Sequence, residues 1–158
     1  GRLEVMHGPK ELSVVIDYAH TPDALENVLH TLKDIEPGKP LICLFGCGGD
    51  RDRSKRPEMA AVAQKWADRI IVTSDNSRSE NTADIIKEIC TGLDDKGRAK
   101  TICIEDRKEA IRAAITFADK GSTILLAGKG HETYQILGKE KLHFDEREIV
   151  NDVFKTIS

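Results

Sequence analysis

The amino-acid sequence predicts a doubly wound α/β protein: a mostly parallel sheet, helices on both faces, and an added hairpin or edge strand near the C-terminus. Three observations carry this expectation. Short runs rich in Val, Ile, Leu and Thr recur along the chain, and they are apolar at successive positions, as in strands buried on both sides. Amphipathic segments of helical period separate those runs. Strand–helix repetition of this kind requires right-handed crossovers, which place helices on both sides of one sheet.

The elements follow in order. Leu3 to His7 reads as an edge strand and Leu12 to Ile16 as the first buried run. Thr21-Pro22 supplies a capping residue and a proline suited to a first helical turn. Ala24, Leu25, Val28, Leu29 and Leu32 share one face of the helix that follows. Pro37-Gly38-Lys39-Pro40 is a turn leading into the second run, Leu41 to Phe45. Val62, Ala63, Trp66 and Ala67 mark a second helix, Ile70 to Thr73 a third strand, and Ile85, Ile86 and Ile89 a third helix. Asp94-Asp95-Lys96-Gly97 reads as an exposed loop, and Thr101 to Ile104 as the fourth run. Asp106 with Glu109 has capping-box spacing before a helix carrying Ala110, Ile111, Ala114 and Ile115. Thr123 to Ala127 is the fifth run. Tyr134 to Phe144 reads as further edge or hairpin strands turning at Gly138-Lys139, and Asp145 with Glu148 caps a last helix.

Composition narrows the function classes. The 158 residues fit one domain with a real core. Hydrophobic residues at 39% and charged residues at 32% exclude a disordered chain. A formal charge of −3 and a pI near 6.0 argue against a broad nucleic-acid surface. No apolar run approaches the ~18 residues of a membrane span. The chain starts Gly1-Arg2 with no signal-like segment, which reads as a piece of a longer cytoplasmic protein. Cys43, Cys90 and Cys103 lie in apolar segments, where a buried reduced thiol is expected. Cys43 and Cys47 are spaced wrongly for a CxxC motif, and no second pair of ligands suggests zinc.

Parallel sheets bind ligands beyond the carboxyl ends of their strands. Four of the five predicted strand ends open into polar or glycine-rich loops: Asp17 to Pro22, Gly46 to Arg53, Ser74 to Glu80, and Gly128 to Glu132. The fourth strand end, Glu105-Asp106-Arg107, looks like plain helix capping. Gly46 to Gly49 reads either as a flexible turn or as backbone approaching an anionic ligand. Neither G-x-G-x-x-G nor G-x-x-x-x-G-K-[ST] occurs in the chain. Arg51, Arg53, Lys55 and Arg56 crowd a helix start; they read either as a solvated helix start or, because cations there oppose the macrodipole, as a site awaiting a compensating anion. Asp75, Asn76 and Arg78 combine an anion, an amide and a cation, a set suited to a zwitterionic amino acid or to an Asx-turn with a surface ion pair. His20 and His131 fall in site loops, whereas His7, His30 and His143 fall in strand or helix patterns.

Four segments in fixed order carry a resemblance: Asp17-Tyr18-Ala19-His20-Thr21-Pro22, Gly48-Gly49-Asp50-Arg51-Asp52, Asp75-Asn76-x-Arg78-x-Glu80 and Gly128-Lys129-Gly130-His131-Glu132. Across nearly the whole chain they resemble the C-terminal domain of the Mur ligases. The resemblance implies that residues 1–158 form one Rossmann-like domain of a three-domain enzyme. The N-terminal UDP-binding domain and the central ATPase domain would lie outside this sequence. ATP and Mg2+ are the implied cofactors, with the phosphate loop and metal ligands in that central domain. The implied reaction adds meso-diaminopimelate to UDP-N-acetylmuramoyl-L-alanyl-D-glutamate through an acyl phosphate, in peptidoglycan synthesis.

Site roles follow from the resemblance residue by residue. Arg2, Asp17, Tyr18, His20 and Asp50 match nucleotide contacts. Arg51, Asp75, Asn76, Arg78, Gly128 and Glu132 match the meso-diaminopimelate pocket. No catalytic residue and no metal ligand is implied within this domain. Arg78 favours meso-diaminopimelate over L-lysine, because lysine lacks the far carboxylate that a guanidinium grips. The family loop usually reads Asp-Asn-Pro-Arg, and this chain carries Ser77 in place of that proline. Two alternatives remain at this stage: the lysine-adding ligase of the same step, or a freestanding doubly wound regulatory or nucleotide-binding module.

Overall fold

A computed structural model describes residues 3–158. Arg2, assigned above to the nucleotide, lies outside the described residues. Among the described residues eight strands and six α-helices follow one another: β1 (Glu4–His7), β2 (Ser13–Asp17), α1 (Pro22–Ile35), β3 (Leu41–Phe45), α2 (Lys55–Trp66), β4 (Arg69–Val72), α3 (Thr82–Cys90), α4 (Asp95–Ala99), β5 (Thr101–Cys103), α5 (Arg107–Thr116), β6 (Thr123–Ala127), β7 (Tyr134–Leu137), β8 (Glu140–His143) and α6 (Glu146–Ile157). A 3-10 turn at Pro9–Glu11 joins β1 to β2.

The main sheet runs β1-β2-β6-β3-β4-β5. Its last five strands are parallel, and β1 is antiparallel to β2. Register aligns the strand ends: Asp17 lies opposite Ala127, Leu44 opposite Leu126, Phe45 opposite Val72, and Val72 opposite Cys103. Every parallel strand therefore delivers its following loop to the same rim.

β2, β3 and β6 are buried at every position, which explains their uninterrupted apolar sequences. Alternate side chains feed two cores. Val15, Cys43, Phe45 and Leu125 pack with Leu25, Leu29, Met59 and Ile89 on one face. Val14, Ile16, Leu44 and Leu126 pack with Ile111, Ile115, Val150 and Phe154 on the other. Helix caps follow the sequence: the Thr21 hydroxyl accepts the Ala24 amide at 3.2 Å, and the Asp106 carboxylate accepts the Glu109 amide at 3.2 Å.

The structure corrects three expectations. Residues 94–97 are largely exposed, as expected, but they open a helix rather than a loop: the Asp94 carboxylate accepts the Gly97 amide at 2.7 Å and caps α4. Gly97 is buried there because a Cβ would collide with the Gln64 side chain. The fourth apolar run is no doubly buried strand either: β5 is an edge, with Ile102 53% exposed and Cys103 exposed as well. Cys103 and the half-buried Cys90 are thus not core thiols, whereas Cys43 and Cys47 are. Tyr134 to Phe144 forms a separate two-stranded hairpin, β7–β8, turning at Gly138 with φ +61°.

Candidate functional site

Four loops meet at the carboxyl rim, and fully buried cations hold them together. Lys129, just past β6, is 0% exposed along its side chain. Its Nζ donates to the Tyr134 carbonyl at 2.9 Å and to Asn76 Oδ1 at 3.1 Å. The same ammonium lies 3.3 Å from Asp75 Oδ1 and 3.6 Å from Glu132 Oε1. One buried charge therefore fixes the β4–α3 loop against the β6–β7 loop. Arg107 performs the matching task behind the rim. It donates to Glu146 Oε2 at 2.8 Å, to the Ser74 carbonyl at 3.0 Å and to the Ala127 carbonyl at 3.0 Å. Arg107 is more than helix capping: it ties the ends of β4 and β6 to α6.

The hairpin clamps the same loop from outside. Arg78 donates its amide to the Ile136 carbonyl at 3.2 Å, and its carbonyl accepts the Gly138 amide at 2.8 Å. Asn76 Oδ1 accepts the Ile136 amide at 2.9 Å, and Gln135 Nε2 donates to Ser74 Oγ and to the Asp75 carbonyl, both at 2.8 Å. Arg78 sits at φ +53°, an uncommon conformation for a side-chain-bearing residue, kept here by bonds on both sides of its peptide unit. Its Nη1 donates to the Gly49 carbonyl at 3.0 Å. Ser77, where the family usually has proline, is buried, and its hydroxyl lies 2.7 Å from that of Thr82.

The β3–α2 loop shows what its glycines are for. A Cβ on Gly46 would collide with the Thr73 carbonyl, and one on Gly49 with the Ser77 carbonyl. These glycines admit the neighbouring loop rather than a ligand. The basic cluster next to them also finds its anions within the chain. Arg56, fully buried, pairs with Glu80 at 2.8 Å and Glu88 at 3.3 Å, and Arg53 pairs with Glu88. Hydrogen bonds from Arg56 hold the Glu80 carboxyl down at about 2, with the Asp50 amide adding to the effect. Arg51 and Lys55 have no such acidic partner among the described ion pairs; Lys55 Nζ donates to the His20 carbonyl at 3.0 Å.

What these loops enclose is an open cleft of about 460 Å³. Arg51, Asp75, Asn76, Arg78, Gly128 and Glu132 all line it, as do Tyr18 and His20. Gly128 has φ +118°, and a Cβ there would stand 2.8 Å from Asp75 Oδ2. Tyr18 and His20 are exposed, edge to face, with ring centroids 4.6 Å apart. Asp17 and Asp50 do not line the cleft. The Asp17 carboxylate accepts the Ala19 amide at 2.9 Å, and Asp50 accepts from the Ser79 hydroxyl and amide. Those Ser79 bonds, hydroxyl first, lower the Asp50 carboxyl below its usual range. His131 turns from the cleft; its Nδ1 lies 2.8 Å from Arg147 Nη1.

Residues 1–130 match the family model described as "Mur ligase, glutamate ligase domain". The chain belongs to the Mur ligase family. It is 51% identical over 152 residues to the UDP-N-acetylmuramoyl-L-alanyl-D-glutamate–2,6-diaminopimelate ligase of Clostridioides difficile, covering 96% of this chain and 31% of that protein. The enzyme of the same name from Bacillus cereus is 53% identical over 152 residues, covering 96% of this chain and 30% of the relative. A solved structure of a ligase of this name superposes with TM-score 0.92 at 41% identity, over 99% of this chain and 32% of the other. The chain thus spans just under a third of the curated relatives' length. Lys129 and Arg107 organise this cleft; in sequence Arg107 reads as plain helix capping, and the signal for Lys129 is its place inside Gly128-Lys129-Gly130.

Proposed function

We propose that this chain is the acceptor-binding domain of an ATP-dependent ligase that joins meso-diaminopimelate to UDP-N-acetylmuramoyl-L-alanyl-D-glutamate. The observation that carries the reading is the gathering of Arg51, Arg78, Asp75 and Glu132 around one cleft. Diaminopimelate bears an ammonium and a carboxylate at each end, so its recognition calls for cations and carboxylates set apart across a single pocket. Arg78 would take the carboxylate that lysine lacks as a two-pronged pair. Glu132, with Asp75 and the Gly128 carbonyl, would receive an ammonium.

The chemistry divides accordingly. A carboxylate is a poor electrophile, so ATP converts the D-glutamyl carboxylate of the precursor to an acyl phosphate, and an amine of the acceptor displaces phosphate. This chain's part is to orient that amine, a service worth several orders of magnitude in rate when the reacting atoms are held in line. Tyr18 and His20 also line the cleft and present exposed aromatic faces suited to a nucleoside. Mg2+, which the family resemblance places with the phosphate loop, would be held by the central domain of the ligase. Among the described residues no helix is long and apolar enough to cross a membrane.

The test is an acceptor screen with the full-length ligase. Meso-diaminopimelate should be preferred to L-lysine by roughly 10⁴-fold in kcat/KM, because lysine leaves the Arg78 guanidinium without its partner. Comparable use of the two acceptors would refute the assignment of Arg78.

A further inference from the structure

Two sulfur atoms meet at the far end of α3. Cys90 is the last residue of that helix and Cys103 the last of β5, and their Sγ atoms lie 3.5 Å apart. Cys103 is exposed and Cys90 half-buried, so a small reagent in water reaches the pair. Both sit on ground that can give. β5 is a three-residue edge strand paired on one side only, and Cys90 is followed directly by the Thr91-Gly92 turn. A disulfide needs sulfurs about 2.05 Å apart, which asks for an approach of roughly 1.5 Å from the present contact.

We propose that Cys90 and Cys103 form a reversible dithiol–disulfide site that reacts with small disulfides of the glutathione class. The thiolate of Cys103 attacks one sulfur of the small disulfide, forming a mixed disulfide and releasing one small thiolate. The Cys90 sulfur, having lost its proton to solvent, then attacks the Cys103 sulfur and releases the second small thiolate. Two electrons pass from the protein thiols to the reagent, and a small dithiol reverses the sequence.

The chain carries its own control. The hydrogen bond from Cys90 lowers the Cys103 thiol to about 7, giving substantial thiolate near neutral pH. Burial pushes Cys43 and Cys47 up to about 12, which leaves them inert thiols under the same conditions. The same contact, with burial, pushes the Cys90 thiol up, so Cys103 is the attacking sulfur, Cys90 resolves it once Cys103 is bonded, and Cys43 and Cys47 stay silent. The site also borders the ligand loop by covalent connection: β4, paired with β5 through Val72 and Cys103, runs into Thr73 to Asn76, and α3 leaves that loop toward Cys90. This inference does not depend on the ligase reading.

The experiment exposes the reduced chain to glutathione disulfide without metal or oxygen, then quenches with acid and maps the peptides. The expected result is loss of two of the four thiols, a Cys90–Cys103 crosslinked peptide, and no retained glutathione. C90S should stop at a stable glutathione adduct on Cys103. Should C90S unfold, native-state labelling of the wild type by phenylarsine oxide, which bridges adjacent thiols, gives a second readout: one arsenical per chain, blocked by prior oxidation. Retained glutathione on wild-type Cys103 with no crosslink, or four surviving thiols, would overturn the proposal.

Discussion

Two groups of residues lining the cleft are built differently. In the first, Asp75, Asn76, Arg78 and Glu132 are tied to one another through Lys129, the hairpin and the Gly49 carbonyl. In the second, Tyr18 and His20 stand exposed with one neighbouring ring each and few polar ties. A pocket that must tell two similar amino acids apart needs its charges fixed before the ligand arrives, since looseness of an ångström erases discrimination. Under the proposed reading, a surface that receives a nucleotide jointly with other parts of a ligase would have no such need within this chain.

The largest effect expected from breaking this contrast comes from Lys129→Met. It removes the ammonium between two carboxylates and leaves them desolvated, a change that costs about 3–5 kcal/mol of folding stability. Urea denaturation checks it; a loss under about 1 kcal/mol would mean the buried ammonium does not hold the first group together. Next comes Arg78→Ala in the full-length ligase. Its kcat/KM for meso-diaminopimelate should fall roughly 10²- to 10³-fold, as for a desolvated charge left without its partner, with KM for ATP nearly unchanged. Equal damage to both substrates would erase the division between the two groups.

A smaller effect belongs to Glu80, which steadies the β3–α2 loop through Arg56. Its carboxyl is depressed to about 2 in the folded chain, so its contribution is complete above the ordinary carboxylate value near 4.5 and is lost as pH falls from there toward 2. E80Q should flatten that part of the acid-unfolding curve, read by circular dichroism against pH; an unchanged acid limb would show that the pair adds nothing. The smallest change is expected for Tyr18→Ala. Stability should move within about 0.5 kcal/mol, as at other exposed positions, while KM for ATP in the full ligase rises. A large drop in stability would place Tyr18 among the tied residues instead.

Much of this contrast could be read from sequence, and the unreadable part has a physical cause. The strand-end rule located the rim because the polar residues there interrupt apolar runs within a few positions of one another. The buried runs of β2, β3 and β6 were legible for the same reason. Lys129 and Arg107 were not, because a charged residue announces exposure by default, and their partners lie far along the chain: Asn76 is 53 positions from Lys129, and Glu146 is 39 from Arg107. β5 misled because an apolar run does not reveal that no further strand covers its outer edge. The Gly46 to Gly49 loop misled only in part: at Gly46 and Gly49 the approaching group is the chain's own Thr73 to Ser77 backbone, whereas Gly48 lines the cleft.

The central claim is that Arg78 grips the far carboxylate of the acceptor. A crystal structure of the full-length ligase with meso-diaminopimelate tests it most directly. The account predicts two parallel bonds of about 2.7–2.9 Å from the Arg78 guanidinium to that carboxylate, with an ammonium at Glu132. A ligand seated away from this cleft, or Arg78 turned to the nucleotide, would contradict it.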